Sequence, residues 1–131
     1  LCQSDMLRAV VEVGLDAELG VLHSTEDYRH NLVLDLMEPF RPILVEGVTR
    51  DALTHGMLGE ESTEILPADG GCYLTSQGRI AIIRRYEQRM LSSFLQGDKH
   101  TTLRQCMHQV ALHWKHAVMD SQLIASNFKL C

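Results

Sequence analysis

Apolar residues recur with helical spacing over four stretches of this chain, and polar or glycine-rich segments separate the stretches. This pattern predicts an all-α fold, a single domain of about four main helices within the 131 residues. The first helix is expected to begin with Ser4 as its N-cap and to run to about Val13, because Gly14 follows the last apolar residue. Its apolar side consists of Met6, Leu7, Val10 and Val11.

The last two helices are each preceded by residues that favour an N-cap. Thr75 or Ser76 is expected to cap a helix over residues 77–94, and Thr101 or Thr102 is expected to cap the final helix. The core side of the third helix is predicted to be Ile80, Ile83, Tyr86, Met90 and Phe94. The core side of the fourth is predicted to be Leu103, Met107, Val110, Trp114, Ala117 and Val118.

The second helix is predicted from Asn31 to about residue 56, and two closely spaced prolines interrupt it. Pro39 lacks the amide that would bond the Asp35 carbonyl, and Pro42 lacks the one that would bond the Glu38 carbonyl. The helix must therefore bend there. The bend is either a simple kink or a means of exposing and aiming the acidic turn.

This acidic turn combines residue types that bind divalent cations. Asp35 and Glu38 stand three positions apart and project from one helix face, which Arg41 extends by a turn. His23 lies twelve residues before Asp35, in the connector between the first two helices. An imidazole with two carboxylates suits Mg²⁺ or Mn²⁺, provided that the connector folds back over the second helix, and a nearby Arg suits phosphate. The alternative is a solvated helix face and an ordinary loop histidine.

The overall charge limits how the chain can bind nucleic acid. The formal net charge is −5, so any DNA contact must be a local basic patch. On the third helix, Arg85 and Arg89 lie one turn apart and could follow a phosphate strand, or they could form a solvated face that pairs with acids. Glu87 falls near the apolar side of that helix, and we expect it to pair with an Arg.

The cysteines do not form a metal or disulfide pattern. All four are widely spaced without a Cys-x-x-Cys pair, which predicts free thiols. On the fourth helix, Cys106 and three histidines invite a zinc hypothesis, but only His113 and His116 point in similar directions. No apolar run approaches the roughly 18 residues of a membrane span, and no signal-peptide pattern is present, so we expect a cytoplasmic protein without membrane contact.

Several segments, in this order, resemble the C-terminal helical domain of the CRISPR-associated integrase, the metal-dependent DNA endonuclease of spacer acquisition. They are residues 14–16, 20–23, 32–45, 70–79 and 86–89. The likeness extends over roughly residues 5–118, and its specific part is the ordered block from His23 to the acidic helix.

The resemblance implies roles for individual residues. His23 and Glu38 would bind Mg²⁺ or Mn²⁺, Asp35 would also be needed for catalysis, and Arg41 would lie close to DNA. A third ligand, a glutamate, would precede the region represented here. Residues 1–131 would then be the C-terminal helical catalytic domain of a larger protein, without that protein's β-rich N-terminal domain.

The resemblance also implies an activity and partners. The whole protein would integrate DNA by attack of a 3′-hydroxyl on a phosphodiester, and would cleave double-stranded, branched DNA. It would act as a homodimer with a small partner subunit of the CRISPR adaptation complex. Two alternatives stay open: a non-enzymatic helical module that docks a partner protein or DNA, and a transposase-like relative that uses the same cation site.

Overall fold

The computed structural model describes residues 1–22, 30–65 and 70–120. In these ranges the chain forms helices α1 (Cys2–Glu12), α2 (Asn31–Met37), α3 (Gly47–Thr54), α4 (Ser76–Leu91) and α5 (Leu103–Met119). Two antiparallel strand pairs join them, β1 (Thr63–Ile65) with β2 (Cys72–Leu74) and β3 (Ser93–Gln96) with β4 (Lys99–Thr102). The mostly helical architecture confirms the predicted class.

The predicted second helix is one helical run whose hydrogen-bonding pattern changes at the prolines. In order, the run consists of α2, a 3₁₀ turn (Glu38–Phe40), a π-helical segment (Pro42–Glu46) and α3. The Arg41 amide bonds the Glu38 carbonyl, which Pro42 leaves without its α-helical donor. The Gly47 amide reaches five residues back, to the Pro42 carbonyl. The backbone thus accommodates both prolines without a break.

The core lies between this run and the facing sides of α1, α4 and α5. Its largest fully buried side chains are Met6, Val10, Val33, Phe40, Leu44, Met90, Cys106 and Met107. Phe40 and Leu44 come from the 3₁₀ and π segments, so the proline bend itself is anchored in the core. Glu38 and Arg41 project from the same bend into solvent, with 43% and 52% of their side chains exposed.

The start of α1 differs from the sequence prediction, whereas its end agrees. Leu1 is the N-cap and Ser4 lies inside the helix, so the predicted cap is wrong. The reason is that Cys2 is itself buried in the core and extends the apolar side of the helix by one turn. Gly14 adopts φ +77° directly after the C-cap residue, as a glycine that ends a helix does.

The end of α4 also differs from the prediction. The helix stops at Leu91, and Phe94 lies in β3 instead of in the helix. Gly97, with φ +59°, and Asp98 form a two-residue turn between β3 and β4. The segment between the predicted third and fourth helices is therefore a hairpin.

Four side chains predicted for the apolar sides of their helices are exposed, and one of them is Val11 on α1, at 60%. Ile80 and Ile83 are 57% and 45% exposed, because the first turns of α4 lie beside the β1–β2 pair and only Tyr86 and Met90 reach the core. Val118 is 60% exposed at the last turn of α5. The periodicity located these helices but extended their apolar sides too far.

Thr102, one of the two predicted N-caps, caps α5. Its hydroxyl accepts a hydrogen bond from the Gln105 amide, and the Gln105 side chain accepts one from the Thr102 amide. Thr75 caps α4 and accepts from the Gly78 amide. In the part of the chain that the structure describes, no helix has both the length and the apolarity that crossing a bilayer requires.

A polar group of side chains joins α1, α4 and α5. The Tyr86 hydroxyl donates to Asp5 Oδ2 at 2.7 Å, and burial, followed by this bond, raises the pKa of Tyr86 well above its ordinary value. Arg104 pairs with Glu87 at 3.0 Å and approaches Asp5 at 3.7 Å. The predicted pairing of Glu87 with an Arg is confirmed.

Candidate catalytic site

The Asp35 carboxylate lies against the connector that follows α1. Asp35 Oδ2 accepts a hydrogen bond from the Val21 amide at 2.6 Å and another from the Leu22 amide at 3.0 Å. The Leu32 amide bonds the Ala17 carbonyl at 3.0 Å. The described part of the connector therefore folds back over the first turns of α2, as a site shared between the connector and α2 requires.

Gly20 makes this approach possible. A Cβ at this position would lie 2.6 Å from Asn31 Cβ and 2.9 Å from the Asn31 carbonyl carbon, closer than real Cβ contacts. It would also lie 3.1 Å from Asp35 Oδ2. Asn31 is buried, so neither it nor the α2 backbone can move aside easily.

His23 belongs to residues 23–29, which lie outside the described part of the chain. Its role as a cation ligand stays a prediction. Leu22, whose amide bonds Asp35, is the residue directly before it in the sequence.

Glu38 forms an ion pair with Arg41, with 2.8 Å between Glu38 Oε1 and the guanidinium of Arg41. The hydrogen bond to Glu38 raises the pKa of Arg41 above its ordinary value. Because both side chains are about half exposed, solvent screens the pair and it contributes little to stability. A cation can therefore compete with Arg41 for this carboxylate.

The donor chemistry of this turn fits Mg²⁺ or Mn²⁺ in part. Glu38 offers a solvent-exposed carboxylate on an ordered helical turn, the type of hard oxygen ligand that both ions take. One Asp35 oxygen already accepts two amides. Among the described residues, no three His, Cys, Asp or Glu side chains come close enough together to hold a metal ion. The described residues therefore do not by themselves form a three-ligand metal site.

The fourth-helix cysteine and histidines do not assemble a zinc site in the described structure. Cys106 is buried in the core, whereas His108, His113 and His116 lie on the exposed side of α5. Cys2, Cys72 and Cys106 are reduced and form no disulfide with one another, which agrees with the prediction of thiols. The fourth cysteine lies outside the described residues.

Of the three arginines predicted to lie close to DNA, the two on α4, Arg85 and Arg89, have different surroundings. Arg85 pairs with Asp51 at 2.6 Å, which joins α4 to α3, so a phosphate would have to share its guanidinium with this carboxylate. Arg89 lines a cleft of about 360 Å³ together with Ile43, which belongs to the π segment just after Arg41. That Arg85 and Arg89 contact DNA stays a prediction.

The Asp51–Arg85 pair gives a pH-dependent expectation. The hydrogen bond from Arg85 holds the pKa of Asp51 below its ordinary value. A depressed folded-state pKa stabilises the fold above the unfolded pKa of about 3.9, and this contribution is lost as pH falls through the folded value. Asp51→Asn should therefore lower the melting temperature at pH 7, and the difference from the parent should shrink as pH falls below the unfolded pKa of about 3.9 and through the lower folded-state value.

Thermal unfolding of the parent and of Asp51→Asn at pH 7 and at pH 3 measures this effect. Asp98→Asn, in the exposed β3–β4 turn, is the matched control and should change little at either pH. An equal loss at pH 7 and pH 3 for Asp51→Asn would show that packing, and not charge, is responsible.

The chain is similar in sequence to members of one known protein family. Residues 1–88 match the family model described as CRISPR associated protein Cas1. The chain is similar to the CRISPR-associated endonuclease Cas1 1 of Thermus thermophilus, with 38% identity over 86 residues that cover 66% of this chain and 27% of the relative. It is also similar to a CRISPR-associated exonuclease Cas4/endonuclease Cas1 fusion of Geobacter sulfurreducens, with 35% identity over 82 residues that cover 63% of this chain and 14% of that protein.

The fold is similar to that of a solved structure, a casposase bound to integration product. The TM-score is 0.82, the sequence identity is 20%, and the alignment covers 92% of this chain and 35% of the casposase chain. This likeness demonstrates a shared fold. The chain spans only 27% and 14% of the lengths of the two sequence relatives.

Proposed function

The chain belongs to the CRISPR associated protein Cas1 family, and on this basis we propose that it is the C-terminal helical catalytic domain of a metal-dependent DNA endonuclease and integrase. The whole protein would carry a β-rich N-terminal domain before it. The family match over residues 1–88 and the endonuclease names of the relatives support this proposal.

One observation carries the proposal at the level of the site. The connector segment directly before His23 is hydrogen-bonded to Asp35, on the helical run whose next turn exposes Glu38. His23 and Glu38 would hold Mg²⁺ or Mn²⁺, and a glutamate from outside this chain would be the third ligand. A divalent cation held there stabilises charge on the phosphoryl oxygens and lowers the pKa of the attacking hydroxyl.

The chain's own basic residues would position DNA. Arg41 would lose its partner if Glu38 bound a cation, and its planar guanidinium would then suit a phosphate beside the reacting one. Arg89, which lies in the cleft beside the π segment, would add a second contact, and Arg85 would add a third that it shares with Asp51.

The proposed reaction is a transesterification. The oxygen of a DNA 3′-hydroxyl attacks a phosphodiester phosphorus, a new ester bond forms, and the displaced strand leaves with a free 3′-hydroxyl. Water in place of the hydroxyl gives cleavage of double-stranded, branched DNA. The whole protein would act as a homodimer together with a small subunit of the adaptation complex. The Geobacter relative, in which an exonuclease is fused to the endonuclease, supports the proposal that the protein acts with other subunits.

A strand-transfer assay tests the proposal. The full-length protein is given branched DNA that ends in a 3′-hydroxyl, with Mn²⁺ or with a chelator, and the joined product is resolved on a gel. We expect joining only with Mn²⁺, and cleavage without joining when the DNA ends in a 3′-dideoxynucleotide. DNA binding without any product would favour the non-enzymatic docking module instead.

A further inference from the structure

We propose that Gly20 and Asp35 position the connector against α2, and that Asp35 serves the site as a positioning residue and not as a cation ligand. We call the hydrogen-bonded arrangement of Gly20, Val21 and Leu22 against Asp35 the connector contact. This inference rests on the proposed function, because it assigns a role within the same site.

Hydrogen bonds hold the connector to Asp35. A single oxygen, Oδ2, accepts two consecutive backbone amides, those of Val21 and Leu22, at 2.6 and 3.0 Å. Hydrogen bonds to an ionised acceptor are the stronger kind, and consecutive amides aimed at one point form an anion-binding concavity. The positive ends of both N–H dipoles point at this oxygen. It is therefore a poor ligand for a cation and a good anchor for the chain.

Gly20 lies close against Asn31 at the start of α2. Gly20 is not one of the glycines with a positive φ, so its backbone conformation does not require glycine. The requirement comes from contact with its neighbours. A methyl group here would meet Asn31 Cβ at 2.6 Å and the Asn31 carbonyl carbon at 2.9 Å. Alanine would therefore push the connector away from α2 and lengthen both bonds to Asp35.

The position of the connector contact gives it a function. It closes a chain segment of 13 to 14 residues and ends at Leu22, next in sequence to the proposed ligand His23. Fixing the near end of the connector on α2 restricts the positions open to that residue and so favours its approach to Glu38. Gly20 has no side chain that could bind a cation, so an effect of its replacement on cation affinity must act through position.

The experiment uses four variants of the full-length protein: Gly20→Ala, Asp35→Ala, Asp35→Asn and, as the matched control, Gly59→Ala. A Cβ at Gly59 would meet nothing within 4 Å, so the same change is made there without a clash. Mn²⁺ affinity is measured by calorimetric titration, amide exchange by mass spectrometry of peptides covering residues 17–22, and folding by melting temperature.

We expect Gly20→Ala and Asp35→Ala to weaken Mn²⁺ binding about 10- to 100-fold and to accelerate exchange at Val21 and Leu22. Asp35→Asn keeps an oxygen that can accept both amides, so it should retain Mn²⁺ affinity within a few-fold of the parent. Gly59→Ala should match the parent in all three measurements.

Parental Mn²⁺ affinity in Gly20→Ala would overturn the inference. So would an Asp35→Asn variant that loses Mn²⁺ as fully as Asp35→Ala while exchange at Val21 and Leu22 stays slow, because Asp35 would then be a ligand. If Gly20→Ala fails to fold, the comparison of Asp35→Ala with Asp35→Asn decides whether the inference holds. Failure of the proposed function is a different result: His23→Ala and Glu38→Ala would bind Mn²⁺ as tightly as the parent.

Discussion

Replacing Glu38 by Gln in the full-length protein is expected to slow Mn²⁺-dependent strand transfer at least about 100-fold. The substitution keeps the size of the side chain but replaces a charged oxygen ligand with a neutral amide. Because the side chain is 43% exposed, the fold should be unaffected. Single-turnover rates at rising Mn²⁺ concentration measure the effect, and His23→Ala is expected to cause a loss of the same order.

Arg41→Gln is the matched control for this prediction. Glu38→Gln and Arg41→Gln both remove the same ion pair, but only the first removes the carboxylate. Arg41→Gln should therefore bind Mn²⁺ at least as tightly as the parent and should bind DNA more weakly. If His23→Ala and Glu38→Ala matched the parent at saturating Mn²⁺, the catalytic interpretation of this turn would be wrong.

Phe40→Ala is expected to destabilise the chain by about 3 to 5 kcal/mol. Phe40 is 1% exposed and lies in the 3₁₀ turn that also carries Glu38, so its ring anchors the proline bend in the core. A loss of this size is a large part of the stability of an ordinary domain. Urea unfolding of the parent and the variant measures it, and the midpoint should fall without a compensating rise in slope.

Phe40→Leu provides the control, because it keeps most of the apolar volume and should cost less than about 1.5 kcal/mol. Phe94→Ala removes a ring that is only partly buried against the core. Its loss of unfolding free energy should lie between those of Phe40→Leu and Phe40→Ala. A loss below about 1 kcal/mol for Phe40→Ala would mean that the bend is held by its backbone hydrogen bonds and not by core packing.

Local signals in the sequence were sufficient for several features of the fold. Thr102, one of the two expected N-caps, caps α5, and Gly14 ends α1, because both features depend on residues within one helical turn. The β3–β4 hairpin was missed because Phe94 continued the helical spacing of α4, and a Gly97–Asp98 pair fits a tight turn as well as a simple break.

The site was only partly accessible from the sequence for a different reason. The Glu38–Arg41 pair follows from a spacing of three residues on a helix. The partners of Asp35 are backbone amides 13 and 14 positions away, and every residue type except proline has one, so no residue pattern identifies them. Gly20 was the available clue, since a glycine beside apolar residues can indicate a close backbone approach.

The changes of helix type in the run from α2 to α3 have a rotational consequence. A 3₁₀ turn advances about 20° more per residue than an α-helix, whereas a π segment, with bonds to the fifth residue, advances less. The overwinding at Glu38–Phe40 is thus offset by underwinding at Pro42–Glu46. Leu36 before the bend and Val48 after it consequently face the same core. Adding or removing one residue here would rotate α3 by about 100° and turn Val48 toward water.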